Sequence, residues 1–73
     1  MVNRDLPIPL WEQIAAILRE QIQKGKLTGR VPSILTLAQE YGVSHKTADH
    51  SLRALAAEGL IIAVRGLGYY VKS

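Results

Sequence analysis

The sequence predicts a mostly α domain with a small β-hairpin: a winged helix-turn-helix, three helices followed by a two-stranded wing. Three observations carry this. Apolar positions recur at helical spacing in three successive segments of residues 10–58, and Gly25, Gly42 and Gly59 stand where each segment ends. Between the second and third segments, Leu37-Ala38-Gln39-Glu40-Tyr41-Gly42-Val43-Ser44 has the order a close helix–helix turn requires: a small residue, a glycine, an apolar plug and a cap. Finally, Leu60-Ile61-Ile62-Ala63-Val64 and Tyr69-Tyr70-Val71 are β-prone runs on either side of Arg65-Gly66-Leu67-Gly68.

Each element has a local cause. Pro7 and Pro9 disfavour helix and central strand, so residues 1–9 read as an arm and residues 10–73 as the domain. Pro9 also suits the first turn of a helix, where its missing N–H costs nothing. Leu10, Ile14, Ile17, Leu18 and Ile22 form one stripe of a first helix of about four turns, with Glu12, Gln13, Arg19, Glu20, Gln23 and Lys24 opposite. Residues 26–32 connect, with a short extended piece at Arg30-Val31. Ser33 caps a second helix with Thr36 as its partner, and Leu35, Leu37, Ala38 and Tyr41 give that helix its apolar surface. Ser44 caps a third helix running to Glu58, with Ala48, Leu52, Leu55 and Ala56 inward.

Composition narrows the function. Seventy-three residues allow one small core, and 48% hydrophobic with 21% charged residues is the balance of a folded domain. The absence of cysteine excludes disulfides and thiolate zinc sites, and two histidines make no metal cage. No apolar run approaches the ~18 residues of a membrane span, and the N-terminus is not of signal-peptide type, so a cytoplasmic protein is expected. No nucleophile, base and acid share a suggestive spacing and no phosphate loop is present, so neither an enzyme nor a cofactor is expected. A net charge of +3 leans toward a polyanionic partner.

A helix-turn-helix places its second helix in a DNA major groove. Here that helix presents His45, Lys46, Asp49 and His50 near its start and Arg53 one turn later. Lys46 can donate to guanine O6/N7 or to phosphate, Asp49 can accept from cytosine N4, and either histidine can reach bases. Arg65, Gly66 and Gly68 form a tip able to approach phosphates or a minor groove. The same residues also fit a plain αα-hairpin, a solvated helix face and an ordinary hairpin loop. Trp11 is expected in core packing or a dimer contact.

The chain resembles the N-terminal DNA-binding domain of GntR-type bacterial transcription regulators over about residues 9–71. The carrying pieces are Pro9-Leu10-Trp11-Glu12-Gln13-Ile14, Gly25-Lys26-Leu27, Pro32-Ser33, Leu37-Ala38 with Tyr41-Gly42-Val43-Ser44, Leu52-Arg53-Ala54-Leu55 with Glu58-Gly59-Leu60-Ile61, and Gly66-Leu67-Gly68-Tyr69-Tyr70-Val71. The resemblance implies a dimeric regulator reading a short palindrome in double-stranded DNA. Members typically carry Glu-Arg where this chain has Ile34-Leu35, arginine at His45 and Asp49, and threonine at Lys46, whereas Thr47 matches. The scaffold is therefore kept while most guanine-gripping arginines are gone, and the family's usual operator does not transfer. Members also continue into a larger effector domain, which these 73 residues do not contain; a cut-out domain and a minimal regulator both fit.

Two readings follow. In the first the domain binds duplex DNA, with Lys46, Arg53, Arg65 and the helix N-termini at Ser33 and Ser44 on phosphates and His45, Lys46 and Asp49 on bases. In the second the fold serves as a protein-interaction or accessory DNA-architecture module.

Overall fold

A computed structural model describes residues 2–72. Three helices, α1 (Leu10–Gln23), α2 (Ile34–Tyr41) and α3 (His45–Ala57), precede an antiparallel hairpin of β1 (Ile61–Val64) and β2 (Gly68–Val71). Register pairs Ile61 with Val71 and Val64 with Gly68. This is the predicted winged helix-turn-helix.

The helix limits follow from their caps. The Ser33 hydroxyl accepts the Thr36 N–H at 3.1 Å and donates to the Thr36 hydroxyl at 3.0 Å, satisfying an amide that the helix leaves unpaired. Ser44 and Thr47 repeat this at the start of α3, with the same two distances. At the other end of α2, Gly42 adopts φ +64, a left-handed conformation that costs an L side chain but not glycine. Its geometry lets the Val43 N–H reach the Ala38 carbonyl at 3.0 Å, and Val43 packs on the core as the plug of the turn.

The core is one cluster: Ile14, Ala15 and Leu18 from α1, Leu37 and Ala38 from α2, Ala48, Leu52 and Leu55 from α3, plus Val31 and Ile61. α3 is central, packing against both other helices and β1. The extended piece at Arg30-Val31 joins the sheet. Arg30 bridges to Tyr70, the Val31 N–H donates to the Tyr69 carbonyl at 2.9 Å, and the Val71 N–H donates to the Gly29 carbonyl at 2.8 Å. A single bridge residue, Arg30, thus pairs with β2 on the side away from β1.

Two expectations need correction. Ile17 is half-buried while Ala15 fills the core in its place, and Gln13, assigned to the polar face, is buried. Gln13 is buried because the segment ahead of α1 lies back over that helix. Gln13 Oε1 accepts the Asn3 N–H at 2.7 Å, and its amide nitrogen donates to the Asn3 and Ile8 carbonyls at 2.8 and 2.9 Å. Leu35, counted among the apolar contacts of α2, is 53% exposed, because Ile34, Leu37 and Ala38 already cover the inward face.

Candidate nucleic-acid interface

The inward face of α3 is fixed by Ala48, Ser51, Leu52 and Leu55, all buried, with the Ser51 hydroxyl returning to the Ala48 carbonyl at 2.7 Å. Helical geometry of about 100° per residue then places Lys46, His50 and Arg53 opposite, within an arc of roughly 60°. All three are exposed, as is His45 in the first turn. Asp49 borders this arc and is half-exposed. Its Oδ2 lies 3.2 Å from Arg53 Nε, an i,i+4 ion pair. The acidic charge on this face is thereby matched by its own neighbour.

Thr47, Ser33 and Ser44 have structural duties, since their hydroxyls form the two caps. Neither α2 nor α3 has an acidic residue in its first turn, so the positive end of each helix dipole meets no competing carboxylate.

At the wing, the Leu67 N–H closes the turn on the Val64 carbonyl at 2.9 Å. Gly66 and Gly68 take φ of +82 and +109, conformations that explain glycine at both positions. Arg65 and both glycines are exposed. A half-enclosed cleft of about 320 Å³, lined by Pro32, Ser33, Leu35, Leu52, Gly68 and Tyr69 among others, lies between the start of α2, the inner side of α3 and the foot of the wing. Ser33 and Gly68, far apart in sequence, are therefore neighbours.

Three contributions were invisible in the sequence. Arg30 lies at the foot of the wing, where a Cβ on Gly68 would stand 4.0 Å from its guanidinium. Arg4 donates to the Gly42 carbonyl, holding a cation over the turn of the helix-turn-helix. Trp11 is half-buried and stacks on His50, with ring centroids 4.0 Å apart and planes 18° apart. It is therefore a partner of the α3 face, and His50 is held against α1 rather than free to swing. Basic residues nearby carry no periodic signature, and only the brief strand at Arg30-Val31 gave any hint.

Away from this face, α1 and α3 are joined by Arg19 and Glu58 in a two-point ion pair, with Nε to Oε1 at 2.7 Å. The Glu58 carboxyl is held below its ordinary value by the Arg19 hydrogen bond, and Arg19 is correspondingly raised by the same bond. Both this pair and the Trp11–His50 stack join residues 39 positions apart, so the helices run in the same sense along this edge.

A central helix with an outward cationic face, a glycine turn before it and a glycine-tipped hairpin after it define a winged helix-turn-helix domain of the nucleic-acid-binding kind. The pattern of bacterial regulatory proteins of the gntR family matches residues 10–71. The chain belongs to that family.

An uncharacterized HTH-type transcriptional regulator, RB1450 of Rhizobium meliloti, is 42% identical over 99% of this chain and 30% of its own length. Several other relatives carry "repressor" in their names. YtrA from Sulfolobus acidocaldarius, a GntR-family transcription factor, superposes with a TM-score of 0.91 at 35% identity, covering 100% of this chain and 64% of its own. The DNA-binding domain of AraR in complex with operator ORR3 superposes with a TM-score of 0.84 at 27% identity, covering 99% and 89%. The chain spans about 30% of the length of the first curated relatives it matches. Among the described residues no helix is long and apolar enough to cross a membrane.

Proposed function

We propose that this chain is the duplex-DNA-binding module of a cytoplasmic transcriptional repressor, with no catalytic role, no cofactor of its own and a palindromic site read by two copies. The observation that carries the reading is the outward face of α3, where Lys46, His50 and Arg53 share one arc beside a wing tipped by Arg65. The operator-bound AraR domain supports it through the likeness in fold.

In this reading residues 10–73 are the binding unit and residues 1–9 an arm. His45, Lys46 and Asp49 meet base edges from the first turns of α3. Lys46, Arg53, Arg65, the amides behind Ser33 and Ser44, and the backbone at Gly66 and Gly68 meet phosphates, with Thr47 fixing the start of α3. Lys46 has a dual role because its stem is long enough for either target. Half-sites about 34 Å apart would align two modules on one side of the duplex.

The test is selection of duplexes from a random pool at 50 and 200 mM salt. Enrichment of a palindrome is expected, with a log–log salt slope of about −4 for each bound copy if four or five phosphates are neutralised per copy. Arg65→Glu and Lys46→Glu should each abolish binding with the fold intact. No duplex binding at the lower salt overturns the reading.

A further inference from the structure

We propose that Trp11 and His50 act as one unit on the DNA backbone: Trp11 is a positioning residue whose ring fixes the His50 imidazole so that a ring nitrogen donates to a phosphate. This rests on the DNA-binding reading above.

The stack is the first support. Centroids at 4.0 Å and an 18° interplanar angle use the face of each ring, whereas both imidazole nitrogens lie in the ring plane and remain open at its edge. His50 is exposed and Trp11 half-buried, so the tryptophan supplies a fixed floor and the histidine faces outward.

Position along α3 is the second. His50 stands six residues after the Ser44 cap, a rise of about 9 Å at 1.5 Å per residue. The major groove is about 8.5 Å deep. A helix entering by its first turn brings His45 and Lys46 to the bases and leaves His50 at the height of the groove rim, where phosphates stand. The stack removes the freedom to swing the ring downward.

The charged surroundings are the third. Along α3 the nearest groups are Lys46, Asp49 and Arg53, with Asp49 occupied by Arg53. On α1 the acidic residue next to Trp11 in sequence is Glu12, and in the preceding segment Arg4 is held on Gly42. Lys46 and Arg53 flank His50 on the outward arc, so a phosphate there meets Lys46, the Asp49-paired Arg53 and one N–H donor.

His50→Phe separates the roles, because phenylalanine retains the stack and lacks the donor. Its affinity is measured at 50 mM salt for the selected duplex and for a scrambled duplex of equal length. The expected result is a loss of about tenfold on both, equivalent to about 1.4 kcal/mol, with an unchanged melting temperature. Trp11→Leu should weaken both duplexes three- to tenfold, and Trp11→Phe should restore binding, since it keeps an aromatic floor. Trp11 is the only tryptophan, so its emission in the wild-type chain should change saturably as duplex is added.

Wild-type affinity in His50→Phe overturns the proposal. So does a loss confined to the selected duplex, which would make His50 a base reader. A wild-type chain that binds neither duplex refutes the DNA reading itself and is distinguishable from both outcomes.

Discussion

Replacing Gln13 with leucine should release the N-terminal segment and lower stability without disturbing the core. Gln13 is 9% exposed and makes three hydrogen bonds, at 2.7, 2.8 and 2.9 Å, to the backbone of Asn3 and Ile8. At a net worth of about 1 kcal/mol each, the upper limit is about 3 kcal/mol. Two effects reduce it. The orphaned backbone groups belong to exposed residues and can turn to water, and leucine gains some apolar burial of its own. A loss of about 1.5 kcal/mol remains, which for a domain of this size lowers the melting temperature by roughly 6–12 °C. Thermal melts followed by far-UV circular dichroism measure this, and limited proteolysis within residues 2–9 reports release of the segment. A melting temperature within about 2 °C of wild type, or unchanged proteolysis, would refute the reasoning.

Other outcomes follow from the same geometry. Gly42→Ala should cost about 1 kcal/mol through the left-handed backbone alone, since a Cβ would lie 3.7 Å from Arg4 without clashing; Gly42→Asn should cost less. The pair of melting temperatures checks this. Glu58 is held below its ordinary pKa of 4.5 in the folded state, so its contribution is present above that value and lost as pH falls through the lower folded one. Because both partners are largely solvated, Glu58→Gln should cost about 0.5 kcal/mol at neutral pH and nothing near pH 2, as read by urea melts at the two pH values. Asp49→Asn should free Arg53 for phosphate, raising affinity for a scrambled duplex several-fold and steepening its salt slope by about one, as measured in a salt titration.

Much of the fold was legible because its determinants are local. Ser33, Ser44, Gly42 and Gly59 act on residues within one turn of themselves, so α2, α3 and the turn between them end where caps and glycines say. The wing followed for the same reason. What was not legible depends on segments remote in sequence. Periodicity assigns each helix a single inward direction, which put Gln13 on the wet side; nothing in α1 itself announces that residues 2–9 fold back over it. Trp11 fits any apolar surface, and its role became visible only when α3 brought His50 against it. The face of α3 was read correctly in composition, yet the engagement of Asp49 with Arg53, and Arg30 standing at the foot of the wing, are products of assembly.

The single bridge ahead of α2 places β2 between β1 and residues 29–31. The Val71 N–H is bound to Gly29 and the Lys72 N–H to the Leu60 carbonyl at 3.0 Å, while Val31, two residues before the Ser33 cap, is bound to Tyr69. The hairpin is therefore tied at residues 69–71 to the chain ahead of α2 and is not an independent flap. The same bonds tie residues 29–31, just ahead of α2, to the wing. Wing and helix-turn-helix are thus linked by backbone hydrogen bonds as well as by the core they share.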